Sequence, residues 1–191
     1  MISRGLALDD AAVNESHFPV TETARMYKAR FPRANLNAIQ AHLFLGSVGT
    51  ELSQKLNSFI GATGWSLSGA RYSLLRLLYL SEGHQLAHNE IARALRYTPG
   101  NITQLMDGLV RQGLVERIPS ENSRRVTLAR LTNRGEACAA TLVPAILDFM
   151  ETTCSTLSEE EMDQLNLLLG KFLGGLRSAP STAPSVGNDL S

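Results

Sequence analysis

Eight arginines and no lysine supply the basic charge between residues 88 and 135: Arg93, Arg96, Arg111, Arg117, Arg124, Arg125, Arg130 and Arg134. Four acids oppose them there, Glu90, Asp107, Glu116 and Glu121. A guanidinium presents a planar fork of N–H donors that matches phosphate oxygens and the edge of guanine. Elsewhere the balance reverses. Residues 136–177 carry two basic and seven acidic groups, and the 191-residue chain has 18 of each, for a formal net charge of +0. A uniformly basic coat for nucleic acid is thereby excluded. A basic centre beside an acidic flank is what a DNA-binding module would show. Charge clustering alone is also compatible with a plain solvated surface.

Other chemistries find little support. The chain has no Gly-x-Ser-x-Gly, no His-Glu-x-x-His and no phosphate-cradling glycine loop with lysine. No enzyme, no cofactor and no metal are expected. His84 and His88 are four residues apart, but Gly83 and its loop context argue against one helical face. Cys138 and Cys154, if on one helix, lie roughly 24 Å apart, well beyond the ~7 Å that a disulfide allows. No window approaches the ~18 uncharged apolar residues of a membrane helix. Met1–Val13 has no apolar stretch of the signal-peptide kind. A cytoplasmic protein with reduced thiols and no membrane partner is the expectation.

The elements that would hold the arginines in place can be read from periodicity and punctuation. Residues 1–35 form an extension, with a short extra helix at about 20–31 stopped by Pro32. Asn35–Gly61 predicts a long helix with Leu45, Val48, Leu52, Leu56 and Phe59 on one face. Ser68 caps a second helix to about Leu80. Asn89–Leu95 is a short helix. Thr98 and Pro99 then supply an N-cap hydroxyl and a first-turn proline. The following helix runs to about Gln112 and stops at Gly113, with Ile102, Leu105, Met106 and Leu109 turned inward. Two short helices joined by a turn make a helix-turn-helix. Leu114–Ile118 and Val126–Leu131 have strand character around a polar loop, Pro119–Arg125, and so form a wing. Thr132 caps a helix to about Cys154. Ser158 and Glu161 form a capping box for the last helix. Its Met162, Leu165, Leu169, Phe172 and Leu176 repeat at 3, 4, 3, 4, a two-heptad seam. That seam packs either on its own domain or on a second copy.

Several segments together resemble the multiple antibiotic resistance regulator (MarR) family. Leu67-Ser68-Gly69-Ala70-Arg71-Tyr72-Ser73-Leu74-Leu75 is similar to the opening of the family's second helix, and Glu90-Ile91-Ala92 to its third. Leu109-Val110-Arg111-Gln112-Gly113-Leu114-Val115-Glu116-Arg117 resembles Leu-Glu-x-x-Gly-Leu-Val-x-Arg. Ser123-Arg124-Arg125, then Leu131-Thr132-Asn133-Arg134-Gly135, resembles the wing's Asp-Arg-Arg followed by Leu-Thr-x-x-Gly. Ser123 departs from the usual Asp, and Ala87 from the usual Ser/Thr cap.

The resemblance implies a mainly α fold, a winged helix-turn-helix with a small β-hairpin wing, flanked by N- and C-terminal dimerisation helices. The implied organisation is 36–66 dimerisation helix, 67–135 DNA-binding domain, 136–177 C-terminal dimerisation helices and 178–191 disordered tail. It implies a homodimeric regulator, more commonly a repressor, on a pseudo-palindromic operator in double-stranded DNA. The helix from Thr98 would enter the major groove. Its outward residues are Gly100, Asn101, Thr103, Gln104, Asp107 and Arg111. Thr98, Pro99 and the helix start suit a phosphate. Asn101 and Gln104 suit adenine, and Thr103 a thymine methyl. Arg124 and Arg125 would reach phosphates or a narrow minor groove. A small aromatic or acidic effector is also implied, with His42, Phe44, Phe59, Trp65, Arg71 and Tyr72 as candidate contacts. The dimer would use Met162, Leu165, Leu169, Phe172 and Leu176. The alternative class is a winged-helix protein-interaction module without specific DNA recognition.

Overall fold

The computed structural model of the chain describes residues 18–120 and 123–179, with side chains for residues 20–119 and 127–179. The first 17 residues of the extension, residues 180–191 of the tail, and the side chains of Ser123, Arg124 and Arg125 lie outside the described residues. Ten elements follow in order: α1 (Phe18–Arg30), α2 (Leu36–Ala62), α3 (Gly69–Tyr79), β1 (Gln85–Ala87), α4 (His88–Leu95), α5 (Pro99–Arg111), β2 (Val115–Ser120), β3 (Ser123–Leu131), α6 (Asn133–Cys154) and α7 (Glu159–Ser178). The fold is the expected mainly helical winged helix-turn-helix. The chain divides into two compact units, with the boundary between Ala139 and Ala140.

In the first unit, one core gathers side chains from the end of α2 and from α3, α4 and α5. Ile60, Leu74, Leu75, Leu78, Ile91, Ile102, Met106, Leu109 and Leu114 are at most 1% exposed. Burying each such side chain stabilises the fold by ~1.5–3 kcal/mol. Two polar clips hold the helices in register: Gly69 N donates to Asn57 Oδ1 at 2.8 Å, and Gln112 Nε2 donates to the Ser66 carbonyl at 2.8 Å. The first joins α2 to α3, and the second anchors the end of α5.

Two details differ from the sequence expectation. The sheet has three strands in the order β1-β3-β2, because Gln85–Ala87 pairs antiparallel with β3. Three residues are too few to show alternation in a sequence. The wing strands also run further than expected, from Val115↔Leu131 to Ser120↔Ser123. Pro119 reads as a break in a sequence, but β2 is an edge strand, where a missing N–H costs no ladder bond if it faces outward.

α4 begins at Ala87, which has no capping side chain. Half a capping box compensates, since Ala87 N donates to Glu90 Oε2 at 2.9 Å. In the second unit, α7 has the full box. Ser158 N donates to Glu161 Oε2 at 2.9 Å and Glu161 N donates to Ser158 Oγ at 3.3 Å. Along the seam, Leu165 and Leu169 are about two-fifths exposed and Leu176 about half, while Met162 and Phe172 are half-buried. Leu167, Leu168 and Leu173 are exposed as well. By length and composition α6 is the one described helix apolar enough to cross a membrane. Its Cys138, Ala139, Leu142, Val143 and Ile146 are buried within the chain, while Leu147 and Met150 are exposed.

The wing root depends on one glycine. Thr132 Oγ1 donates to the Gly113 carbonyl at 2.6 Å and accepts from Gly135 N at 3.0 Å, while Thr132 N donates to the Leu114 carbonyl at 3.1 Å. A Cβ at Gly135 would collide with that same backbone carbonyl of Leu114. The Leu131 side chain, whose Cδ2 would stand 3.2 Å from that Cβ, can yield, but the Leu114 backbone cannot do so without moving the wing root. Gly135→Ala is therefore expected to lower unfolding stability by at least ~2 kcal/mol, as overpacking does, in a urea titration. A loss under ~0.5 kcal/mol, the size of an ordinary surface substitution, would show that the wing root adapts.

Candidate nucleic-acid interface

α5 divides into two faces. Ile102, Met106, Gly108 and Leu109 are buried, and Leu105 is half-buried. Thr98, Pro99, Gly100, Asn101, Thr103, Gln104 and Arg111 are all exposed. The start of the helix is fixed by Thr98, whose Oγ1 accepts from Asn101 N at 3.3 Å. The Thr103 hydroxyl donates to the Pro99 carbonyl at 3.0 Å, which leaves its methyl and an accepting oxygen for a partner. The helix ends in a Schellman turn. Leu114 N donates to the Leu109 carbonyl at 3.0 Å and Gly113 N to the Val110 carbonyl at 2.9 Å, with Gly113 at φ +67°.

The structure sorts the arginines by partner. Arg117 Nη2 donates to Asp107 Oδ1 at 2.6 Å, which ties β2 to α5 and withdraws Asp107 from the outward set. Arg130 Nε donates to Glu116 Oε1 at 2.8 Å across the wing strands. Arg134 lies over the Trp65 ring, 5.9 Å from its centroid. Arg130, Glu116 and Arg134, with Glu136, border a cleft of about 590 Å³ at the wing root. Glu136 is itself 3.1 Å from His84 Nδ1. Arg93, Arg96 and Arg111 are exposed and make no ion pair among the described residues.

Of the six candidate effector contacts, His42 borders a cavity of about 460 Å³ on α2, together with Leu43, Gly46, Ser47, Thr50 and Glu51. Phe44, Phe59 and Trp65 are half-buried. Tyr72 is 2% exposed, with Arg76 5.8 Å above its ring. Arg71 is half-buried and lies on α5 at Gly108, where a Cβ would stand 2.5 Å from its Nε. That Nε is buried without a hydrogen-bond partner among the described residues. Gly108 was not legible as a site because its importance lies in what it lacks.

His88, first residue of α4, has a buried Nε2 without a partner among the described residues. Its pKa is lowered, chiefly by burial and further by Arg117, with Asp107 opposing. The unfolded chain therefore takes up this proton first on acidification. The stabilising contribution is complete above the ordinary value of 6.5 and is lost as pH falls from there towards the folded value. Urea titrations between pH 7.5 and 5 should give a shallower pH slope for His88→Gln than for the unaltered chain. Parallel slopes would remove His88 as the source.

The MarR family model matches residues 67–127, the segment from the start of α3 into the wing. The chain is 30% identical over 153 residues to the HTH-type transcriptional repressor YetL of Bacillus subtilis, covering 79% of this chain and 87% of that one. Among solved structures, the S. aureus MepR–DNA complex superposes with a TM-score of 0.65 at 26% identity, over 70% of this chain and 95% of that one. A mutant E. coli MarR complexed with operator DNA superposes at 0.64 with 22% identity, over 77% and 97%, a likeness of fold. Taken with the two-faced helix and its wing, these likenesses establish that the chain belongs to the MarR family of transcriptional regulators, which are not enzymes.

Proposed function

We propose that the protein is a cytoplasmic homodimeric repressor that reads a pseudo-palindromic operator through α5 and the wing, and releases it on binding a small aromatic or acidic molecule. One observation carries the DNA reading. Asn101, Thr103 and Gln104 stand exposed on a helix whose opposite face is locked into the core. A fixed helix can hold bidentate amide contacts to base edges, which need a defined register. The Arg124–Arg125 pair on β3 would add wing contacts. A similar chain, MepR of S. aureus, has been crystallised as a complex with DNA, which supports the same reading.

The effector reading is supported by Arg71. Its unpartnered Nε–H would donate to an anionic ligand group, and its guanidinium bears on Gly108 of α5. A ligand that moved Arg71 would move the reading helix, and the two affinities would be linked reciprocally. The dimer reading rests on the second unit, whose α7 leaves Leu165, Leu169 and Leu176 open to solvent in the single chain. Two copies would set two α5 helices on half-sites about one DNA turn apart.

The test is fluorescence anisotropy on DNA tiled across the region upstream of the protein's own gene, with excess competitor DNA and at two salt concentrations. One tile should bind tightly over its neighbours and contain an inverted repeat. Asn101→Ala and Gln104→Ala should each weaken that tile ~5- to 150-fold, the range of one lost bidentate pair, and leave unrelated DNA nearly unchanged. A panel of aromatic carboxylates should include one that releases the tile. Uniform binding to all tiles that collapses with salt would leave phosphate contacts alone and overturn specific recognition. In sedimentation at micromolar concentration the protein should be a dimer and Leu169→Glu a monomer. A monomeric unaltered chain would defeat the two-half-site arrangement.

A further inference from the structure

Both helices of the helix-turn-helix end in a left-handed residue spanned by a hydrogen bond from the next N–H back to the helix, yet with different residues at that position. After α5 that residue is Gly113, at φ +67°. After α4 it is Arg96, at φ +56° and ψ +36°, with Tyr97 N donating to the Ala92 carbonyl at 3.2 Å as Leu114 N does to Leu109. Glycine takes this conformation without penalty, whereas a side chain with a Cβ does not. Nothing within the described protein rewards the arginine. Arg96 is exposed, has no acid or ring beside it among the described residues, and caps no carbonyl with its side chain.

Its position offers a reward outside the protein. Arg96 stands two residues before Thr98, the N-cap of α5, so its Cα lies within roughly 7 Å of that of Thr98 along the chain. Any duplex whose groove admits the start of α5 brings a sugar-phosphate strand past this turn, where the first helix of such a motif crosses the backbone. Arg93, also exposed and unpaired among the described residues, precedes it by three residues at the end of α4. We infer that Arg96 is a phosphate-binding residue that positions α5 on DNA, held in the turn at the expense of fold stability. This rests on the reading of α5 as the groove-entering helix. It is distinct from base recognition, since a phosphate contact carries no sequence information.

A stability effect and a binding effect of opposite sign separate this role from a structural one. The full-length protein would be compared with Arg96→Gly, Arg96→Gln, Arg96→Lys and Asn101→Ala, on the preferred tile and on an unrelated duplex of equal length. Arg96→Gly should raise Tm by ~2–4 °C. It should nonetheless weaken both duplexes about equally, by ~3- to 10-fold, and make the slope of log affinity against log salt shallower by about 1. Arg96→Gln, which keeps the strained backbone without the charge, should show the same loss without the gain in Tm. Arg96→Lys should keep the slope. Wild-type slope and affinity in both Arg96→Gly and Arg96→Gln would overturn the inference, as would a loss confined to the preferred tile. Failure of the function reading looks different: the unaltered chain would bind every tile alike, and the Arg96 arms would still be read on the unrelated duplex. A chain that binds no duplex would overturn both.

Discussion

The burial of one face of α5 is the constraint on which the rest of the first unit depends. A helix presenting amides to a groove needs a fixed rotation about its own axis. Side-chain hydrogen bonds at the surface cannot supply that, but Ile102, Met106 and Leu109, each at most 1% exposed, can. A rotation of α5 large enough to redirect Asn101 would withdraw these residues from the core, at ~1.5–3 kcal/mol apiece. Gly108 brings Arg71 down onto the same face, closer than any larger residue would permit. The Schellman turn at Gly113 then passes directly into buried Leu114 and the wing, so helix and wing share one anchor.

The charges work by subtraction. Of the eight arginines that make residues 88–135 basic, Arg117 and Arg130 are matched by Asp107 and Glu116, and Arg134 is laid over Trp65. Both ion pairs are roughly two-fifths exposed, so each contributes ~0–1 kcal/mol at most. Their use is geometric: they hold the wing to α5 and the wing strands to each other. Of the five left over, Arg93, Arg96 and Arg111 flank the polar face of α5 in sequence, and the side chains of Arg124 and Arg125 lie outside the described residues. Raw charge counts by segment could not separate the two sets, because pairing is decided by contacts between elements.

Local signals were legible and non-local ones were not. Thr98-Pro99 and Gly113 delimit α5, and Ser158 with Glu161 opens α7, because capping is settled within four residues of chain. The outward set on α5 followed from periodicity once its inward stripe was identified. Asp107 escaped that logic because its partner Arg117 lies on another element. β1 was invisible because its only reason to be a strand is β3, more than 40 residues later. Gly135 was visible as a motif residue, but its cause, the Leu114 carbonyl against it, is again a contact across the fold. Arg96 was visible only as one basic residue among eight, since nothing in the sequence marks a left-handed backbone when the residue is not glycine.

On the proposed dimeric reading, the second unit supplies the partner surface. A helix that presents Leu167 and Leu168 as well as the seam Leu165–Leu169–Leu176 exposes apolar groups around more than one side. A single intrachain face would bury one stripe and leave the others polar. Clustered apolar exposure of this kind marks an interaction surface. A second copy, as proposed, would also answer the needs of α5 on DNA. One α5 can contact only a few base pairs, and phosphate contacts add affinity without discrimination. Joining two copies makes the second half-site encounter intramolecular, so that two modest discriminations multiply without any new contact. In the proposed dimer the apolar surface of α7 and the polar surface of α5 would be two parts of one requirement, since the first would join the copies whose two α5 helices read the half-sites.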